Sequence, residues 1–155
     1  MKDAREDLGT LLLDVIPLAL RALRMDVQEG ISETNFSCKQ GESGLTFVQF
    51  RIMGYLWFDE ANNKTLAEAV GLSVPAASRA VVALTKRGLV ESTKASNDKR
   101  EVRVRLSKSG RTMFKQAREC LASRMSDRMS VASSEQSKRM QAGLIALKEI
   151  FAGLT

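Results

Sequence analysis

The sequence contains no histidine. That removes the commonest general acid–base side chain, any Ser-His-Asp arrangement and any histidine-based metal site. The two cysteines, Cys38 and Cys120, lie far apart and make neither a disulfide framework nor a zinc site. There is no Walker phosphate loop and no dinucleotide-binding glycine pattern. The chain is therefore not expected to be an enzyme, and neither a cofactor nor a metal is expected. No apolar run approaches the ~20 residues of a membrane span, so no membrane partner is expected. The opening Met1-Lys2-Asp3-Ala4-Arg5-Glu6-Asp7 is too acidic and mixed for a targeting signal, which leads to a cytoplasmic expectation.

What is present is a chain of 155 residues, 44% hydrophobic and 27% charged, enough for one globular domain with a core. The net charge is +6. It is unevenly placed. The stretch from Ser73 to Arg111 holds ten basic residues and three acidic ones, while the rest of the chain is slightly acidic. A local basic footprint of this kind suits contact with phosphates.

The hydrophobic pattern is mainly helical. Leu8, Leu12, Val15 or Ile16, Ala19, Leu23 and Val27 recur at three- and four-residue spacing, predicting a helix over 1–30 that Pro17 kinks or splits. Residues 31–44 read as a loop. Thr46 and Gln49 have capping-box spacing and open a second helix with Phe47, Phe50, Ile52, Met53, Leu56 and Trp57 on its apolar face. After a polar turn over 59–64 comes a short helix from Thr65 to Val70, stopped by Gly71. A further helix follows, with either Ser73 as N-cap or Val74 in that place and Pro75 at the first helical position, running to about Arg87. Gly88 ends it.

Beyond Gly88 the period becomes two. Leu89 to Thr93 and Val102 to Leu106 predict a hairpin, with Val102, Val104 and Leu106 on one face and Arg103 and Arg105 on the other. Its tip, 94–100, is polar and basic. Helices follow, one capped by Ser107 or Ser109 and one carrying Met140, Leu144, Leu147, Phe151 and Leu154. The fold class is mainly α with a small β-hairpin: a winged helix-turn-helix core over 45–107, flanked by an N-terminal helix and loop over 1–44 and C-terminal helices over 108–155.

Two short helices joined by a tight turn form the helix-turn-helix pattern, in which the second helix enters the major groove of double-stranded DNA. Ala77, Ala80, Val81 and Leu84 make its buried stripe, leaving Pro75, Ala76, Ser78, Arg79 and Val82 facing outward. Arg79 can bond two guanine acceptors at once and is the expected base reader. Val74 and Ala76 suit a thymine methyl, and Ser78 suits a phosphate or a base edge. Ser73, Val74, Pro75, Ala76, Ser78 and Arg79 are thus one half of the expected DNA-binding surface. Lys94, Lys99, Arg100 and Arg103 on the hairpin are the other half, because they would repel one another without a polyanion nearby. Asp98 either ion-pairs with Arg100 or caps the turn.

The stretch Leu45-Thr46-Phe47-Val48-Gln49-Phe50, then Leu66-Ala67, Ser78-Arg79, Leu84, Lys86-Arg87-Gly88-Leu89-Val90, Asp98-Lys99-Arg100, Leu106-Ser107 and Gly110 resembles the MarR family of bacterial regulators. The match covers about 45–111. The resemblance implies a homodimer built from 1–30, 108–130 and 135–153, and a pseudo-palindromic operator. It implies that Arg100 reaches the minor groove, supported by Asp98. It also implies a repressor released by a small aromatic ligand or by cysteine oxidation. Ser92 and Thr93 stand where the family often has an arginine, and Pro75 and Ala76 replace more usual polar residues, so shape and methyl contacts gain weight. Met25, Met53, Met113 and Trp57 are candidate ligand-lining residues, core packing being the plainer role of each. Cys38 falls in the predicted loop and Cys120 on an apolar helix face, whereas oxidation-sensing relatives carry their cysteine in the first helix. A winged-helix protein-interaction module is the competing class, and the salt dependence of binding separates it from a DNA-binding protein.

Overall fold

The structure, a computed structural model, describes residues 4–33, 45–94 and 102–152. Helix α1 spans Ala4–Glu33 and passes through Pro17 as one helix. Of the expected kink or split, the split does not occur. Pro17 removes only the bond that its missing N–H would make to the carbonyl of Leu13, and the turns on either side carry the helix across. The helix also continues past residue 30 into the segment read as loop, whose remaining part, with Cys38, lies outside the described residues.

Helix α2, Phe47–Leu56, begins on the expected capping box. The Gln49 N–H donates to Thr46 Oγ1 at 3.2 Å, and the Thr46 N–H donates to Gln49 Oε1 at 2.9 Å. Two of the orphan donors of the first turn are thereby satisfied. Helix α3 spans Asn63–Val70 and starts two residues before the expected Thr65. The reason is Asn62, whose side-chain oxygen accepts from the Thr65 N–H at 2.8 Å. An asparagine in a polar stretch reads as turn, yet here it is an N-cap. Gly71 closes α3 with φ 63°, the left-handed conformation that glycine adopts without strain.

Helix α4 spans Val74–Lys86, with Ser73 as its N-cap and Pro75 in its first turn. Gly88, at φ 68°, turns the chain out of it. Strands β1, Val90–Lys94, and β2, Val102–Leu106, pair antiparallel in the register Val90↔Leu106, Ser92↔Val104 and Lys94↔Val102. On the inner face of β2, Val104 and Leu106 are buried, but Val102 is 55% exposed, because that end of the ladder runs past the core. Helix α5 spans Lys108–Arg128, and helix α6 spans Ser134–Ala152 after a short 3-10 turn at Met129–Val131. Ser133 and Gln136 cap α6 reciprocally, at 3.2 and 2.8 Å.

The chain divides into two compact units, Met1–Leu121 and Ala122–Thr155. In the first, one core joins Ile52, Met53 and Leu56 of α2 to Leu66 and Val70 of α3, Val81 and Leu84 of α4, Leu89, Val104 and Leu106 around the hairpin, and Met113, Phe114 and Leu121 of α5. Burying a side chain of this size contributes about 1.5–3 kcal/mol. Val27 of α1 joins the core, while Leu11, Leu13 and Leu18 of the same helix are 56%, 78% and 65% exposed. Cys120, expected on an apolar face, is only half-buried.

Several short contacts tie the root of the hairpin to α5. The hydroxyls of Ser107 and Ser109 lie 2.6 and 2.8 Å from the Gly88 carbonyl, and the Ser107 N–H donates to the Leu89 carbonyl at 3.1 Å. Ser107 also caps α5, accepting from the Gly110 N–H at 3.0 Å. Gly110 lies so close to the backbone of Leu89 that a Cβ there would collide with the Leu89 carbonyl. Because the obstacle is backbone, Gly110→Ala is expected to destabilise the protein by about 1–3 kcal/mol. A urea unfolding midpoint equal to that of the parent would show that the two segments can part without loss.

Candidate nucleic-acid interface

Helices α3 and α4 are joined by Gly71, Leu72 and Ser73, and the chain bends by 108° between them. This is the geometry of a helix-turn-helix, in which the first helix braces the second. The brace rests on α4's apolar stripe. Ala77, Val81 and Leu84 are buried at 0%, 6% and 0% exposure, and Ala80 packs partly against the same core. The opposite face is bare. Val74 is 46% and Val82 49% exposed, Pro75 and Arg79 are exposed, and Ala76 and Ser78 are half-buried.

The residues predicted on α4 therefore gather at its N-terminal end. Ser73 is engaged structurally, since its hydroxyl accepts from the Ala76 N–H at 3.4 Å. A helix N-terminus also presents free N–H groups that favour an anion nearby. Arg79 sits one turn further on. Pro75 and Ala76 add no polar side chain to this end, whose polar side chains are those of Ser73, Ser78 and Arg79.

The hairpin follows α4 through Gly88. Lys94 is the last residue of β1, opposite Val102. The tip residues Asp98, Lys99 and Arg100 lie outside the described residues, as does Glu101. Arg103, expected on the DNA-binding surface, lies beside a carboxylate of its own chain. Its Nη1 lies 3.7 Å from Glu60 Oε1. On the same face Arg105 contacts Glu91 Oε1 through both Nε and Nη2, each at 2.7 Å. Two hairpin arginines thus have carboxylate partners within the chain.

The approach of Glu60 to Arg103 could not be read from the sequence. The signal is absent from local sequence, because it depends on a backbone bridge between Ala61 and Val104. The Ala61 N–H donates to the Val104 carbonyl at 3.1 Å, and the Val104 N–H donates back at 2.8 Å. That bridge lays the segment before α3 along β2 and fixes the hairpin against the helix-turn-helix.

Of the candidate ligand-lining residues, Met53 and Met113 are core, Trp57 is half-buried and Met25 is 42% exposed. Trp57 packs against Phe114, ring centroids 5.5 Å apart, with the Arg111 guanidinium 5.8 Å from its own ring centre. In the Ala122–Thr155 unit, an open groove along α6 is lined by Met129, Met140, Leu144 and Ile145, with Ser137, Gln141 and Lys148 at its edge.

Residues 45–102 match the model of the MarR family. Among solved structures, MarR from E. coli in its apo form superposes with a TM-score of 0.74 at 17% identity, over 88% of this chain and 96% of that one. The transcriptional regulator BldR from Sulfolobus solfataricus gives a TM-score of 0.71 at 22% identity, over 98% and 99% of the two chains. NadR in complex with 4-hydroxyphenylacetate gives 0.67 at 22% identity, over 99% and 94%. At these identities the likeness is one of fold. No curated protein sequence gives a significant match. The matched residues, 45–102, hold the helix-turn-helix and the first strand of the hairpin, and this part of the chain is similar to the MarR family, whose solved members share its winged-helix fold.

Proposed function

We propose that this chain is a sequence-specific DNA-binding transcription regulator that acts as a homodimer on a pseudo-palindromic operator in the cytoplasm, most simply as a repressor. The observation that carries the reading is the two-sided build of α4: a closed apolar stripe toward the core and an open face bearing Ser78, Arg79 and Val82. A helix held this way is set to lie in a major groove. Ser73, Val74, Pro75 and Ala76 surround the phosphates and thymine methyls at its N-terminus. Lys94, Lys99 and Arg100 extend the contact along the backbone, and Arg100 enters the minor groove with Asp98 beside it.

The dimer reading rests on apolar side chains left in the open. Leu144, Ile145, Ile150 and Phe151 of α6 are 63%, 51%, 60% and 50% exposed, and Leu8, Leu11, Leu13 and Leu18 of α1 are similarly bare. Patches of this kind mark association surfaces. A second copy covers them and gives two recognition helices about one turn of DNA apart, ~34 Å. A small aromatic ligand as the releasing signal is supported by the occupant of NadR, 4-hydroxyphenylacetate. Such a ligand shifts DNA affinity only through different affinities for the two arrangements of the dimer.

Selection of bound duplexes from a random pool, followed by titration of variants, tests the DNA reading. Arg79→Ala is expected to lose about 1–3 kcal/mol on the selected duplex and much less on a random one. Equal losses on both would remove Arg79 from base reading and leave it a phosphate contact. Arg100→Ala should instead weaken both duplexes alike. For the dimer, Leu144→Asp is expected to raise the dissociation constant at least about tenfold, read by sedimentation velocity; an unchanged dimer would take α6 out of the interface.

A further inference from the structure

Resting on the DNA-binding reading, we infer that Val82 is a specificity-determining residue: it reads the 5-methyl group of a thymine in the major groove, beside the base that Arg79 reads. The outer side of α4 supplies the geometry. The helix turns once in about 3.6 residues, which puts Pro75, Arg79, Val82 and Lys86 on one lane. That lane lies opposite the buried Ala77, Val81 and Leu84, and all four of its residues are exposed. Val82 is 49% exposed and stands outside the core cluster.

The charges around Val82 say what faces it. A β-branched side chain in an exposed helix interior lowers helix propensity and gains nothing from burial in the free protein. Its neighbours on the lane are the cations Arg79 and Lys86, and α4 carries no acidic side chain along its length. A polyanion meets both charges and the valine together, whereas an apolar protein surface would have to bury two cations with no carboxylate from α4 to pair them. Pro75, Ser78, Arg79 and Val82 also follow the i, i+3, i+4, i+7 spacing by which a helix lying in a major groove presents side chains to successive bases.

What Val82 can read follows from its chemistry. Its methyl groups neither donate nor accept a hydrogen bond, and the apolar group that base edges present in the major groove is the thymine methyl. Ala76, given that role from the sequence, is half-buried, and Val74 stands at the very start of the helix. Val82 is the exposed apolar side chain placed to act beside Arg79. Three residues of helix span about 4.5 Å, and base pairs stack about 3.4 Å apart. The thymine therefore lies within about two base pairs of the base that Arg79 reads.

The test is a uracil scan, because deoxyuridine differs from thymidine by that methyl alone. Full-length protein is titrated on a duplex selected by the parent, with each thymine replaced in turn by uracil. The base pair at which Arg79→Ala relaxes the sequence preference marks the register. One uracil within about two base pairs of that mark is expected to weaken the parent about fourfold, the factor for roughly one buried methyl-sized group. In Val82→Ala the same uracil should cost nothing, while binding to a random duplex and the salt slope stay as in the parent. The variant exchanges an exposed valine for a better helix former, so the fold is not at stake. An equal loss on uracil in both proteins would overturn the inference, as would the lack of a uracil-sensitive thymine beside an Arg79-dependent base pair. A Val82→Ala variant that changes sedimentation but not the uracil response would overturn it too, and would assign Val82 to a protein contact. Failure of the parent protein to prefer any duplex would strike the DNA-binding reading itself, before any variant is compared.

Discussion

The backbone of Gly88 and Leu89 is the point on which the proposed reading surface depends. Helix α4 ends there, the hairpin begins there, and the first turn of α5 is held against it. The hydroxyls of Ser107 and Ser109 converge on the Gly88 carbonyl, the Ser107 N–H binds the Leu89 carbonyl, and Gly110 allows the approach by having no side chain. The Ala61–Val104 bridge ties the other side of the hairpin to the segment before α3. Helix, hairpin and the start of α5 are therefore one body. Groups on α4 and on the described strands of the hairpin keep a fixed spacing, which the proposed reading of two grooves requires.

The apolar side chains divide along the same line. Those of α2, α3, α4 and the hairpin close a core within the Met1–Leu121 unit. Those of α6 and much of α1 stay open. A winged module supplies too little inward surface to use them. The proposed second copy follows from this imbalance, and the same symmetry would present two recognition helices to one duplex.

Much of this could be read in the chain because the signals are local. Thr46 and Gln49 announce α2, Gly71 and Gly88 mark left-handed turns, and the alternation Val102-Arg103-Val104-Arg105-Leu106 sets β2 to the residue. The α4 stripe follows from its spacing alone. What stayed hidden involves ambiguous local chemistry or distant partners. Asn62 reads as turn and serves as a cap. Pro17 reads as a kink or a break, and α1 continues across it as one helix. Nothing local to Glu60 foretells Arg103, which the bridge between Ala61 and Val104, forty-three positions apart in sequence, brings beside it. Ser107 was legible as a helix cap but not as a clasp on Gly88. The proposed wing contacts Asp98, Lys99 and Arg100 rest on sequence, and the α4 contacts on sequence and exposure together.

The central claim is that α4 and the wing read a duplex as one rigid surface. The most direct measurement is fluorescence anisotropy of the full-length protein on the promoter DNA upstream of its own gene, with a random duplex as control, over a salt series. The account predicts tight binding with a clear preference for the promoter, and affinity falling linearly with salt on logarithmic axes with a slope of several counterions. Equally weak, salt-insensitive binding to both duplexes would contradict it and would turn the same exposed face toward a protein partner.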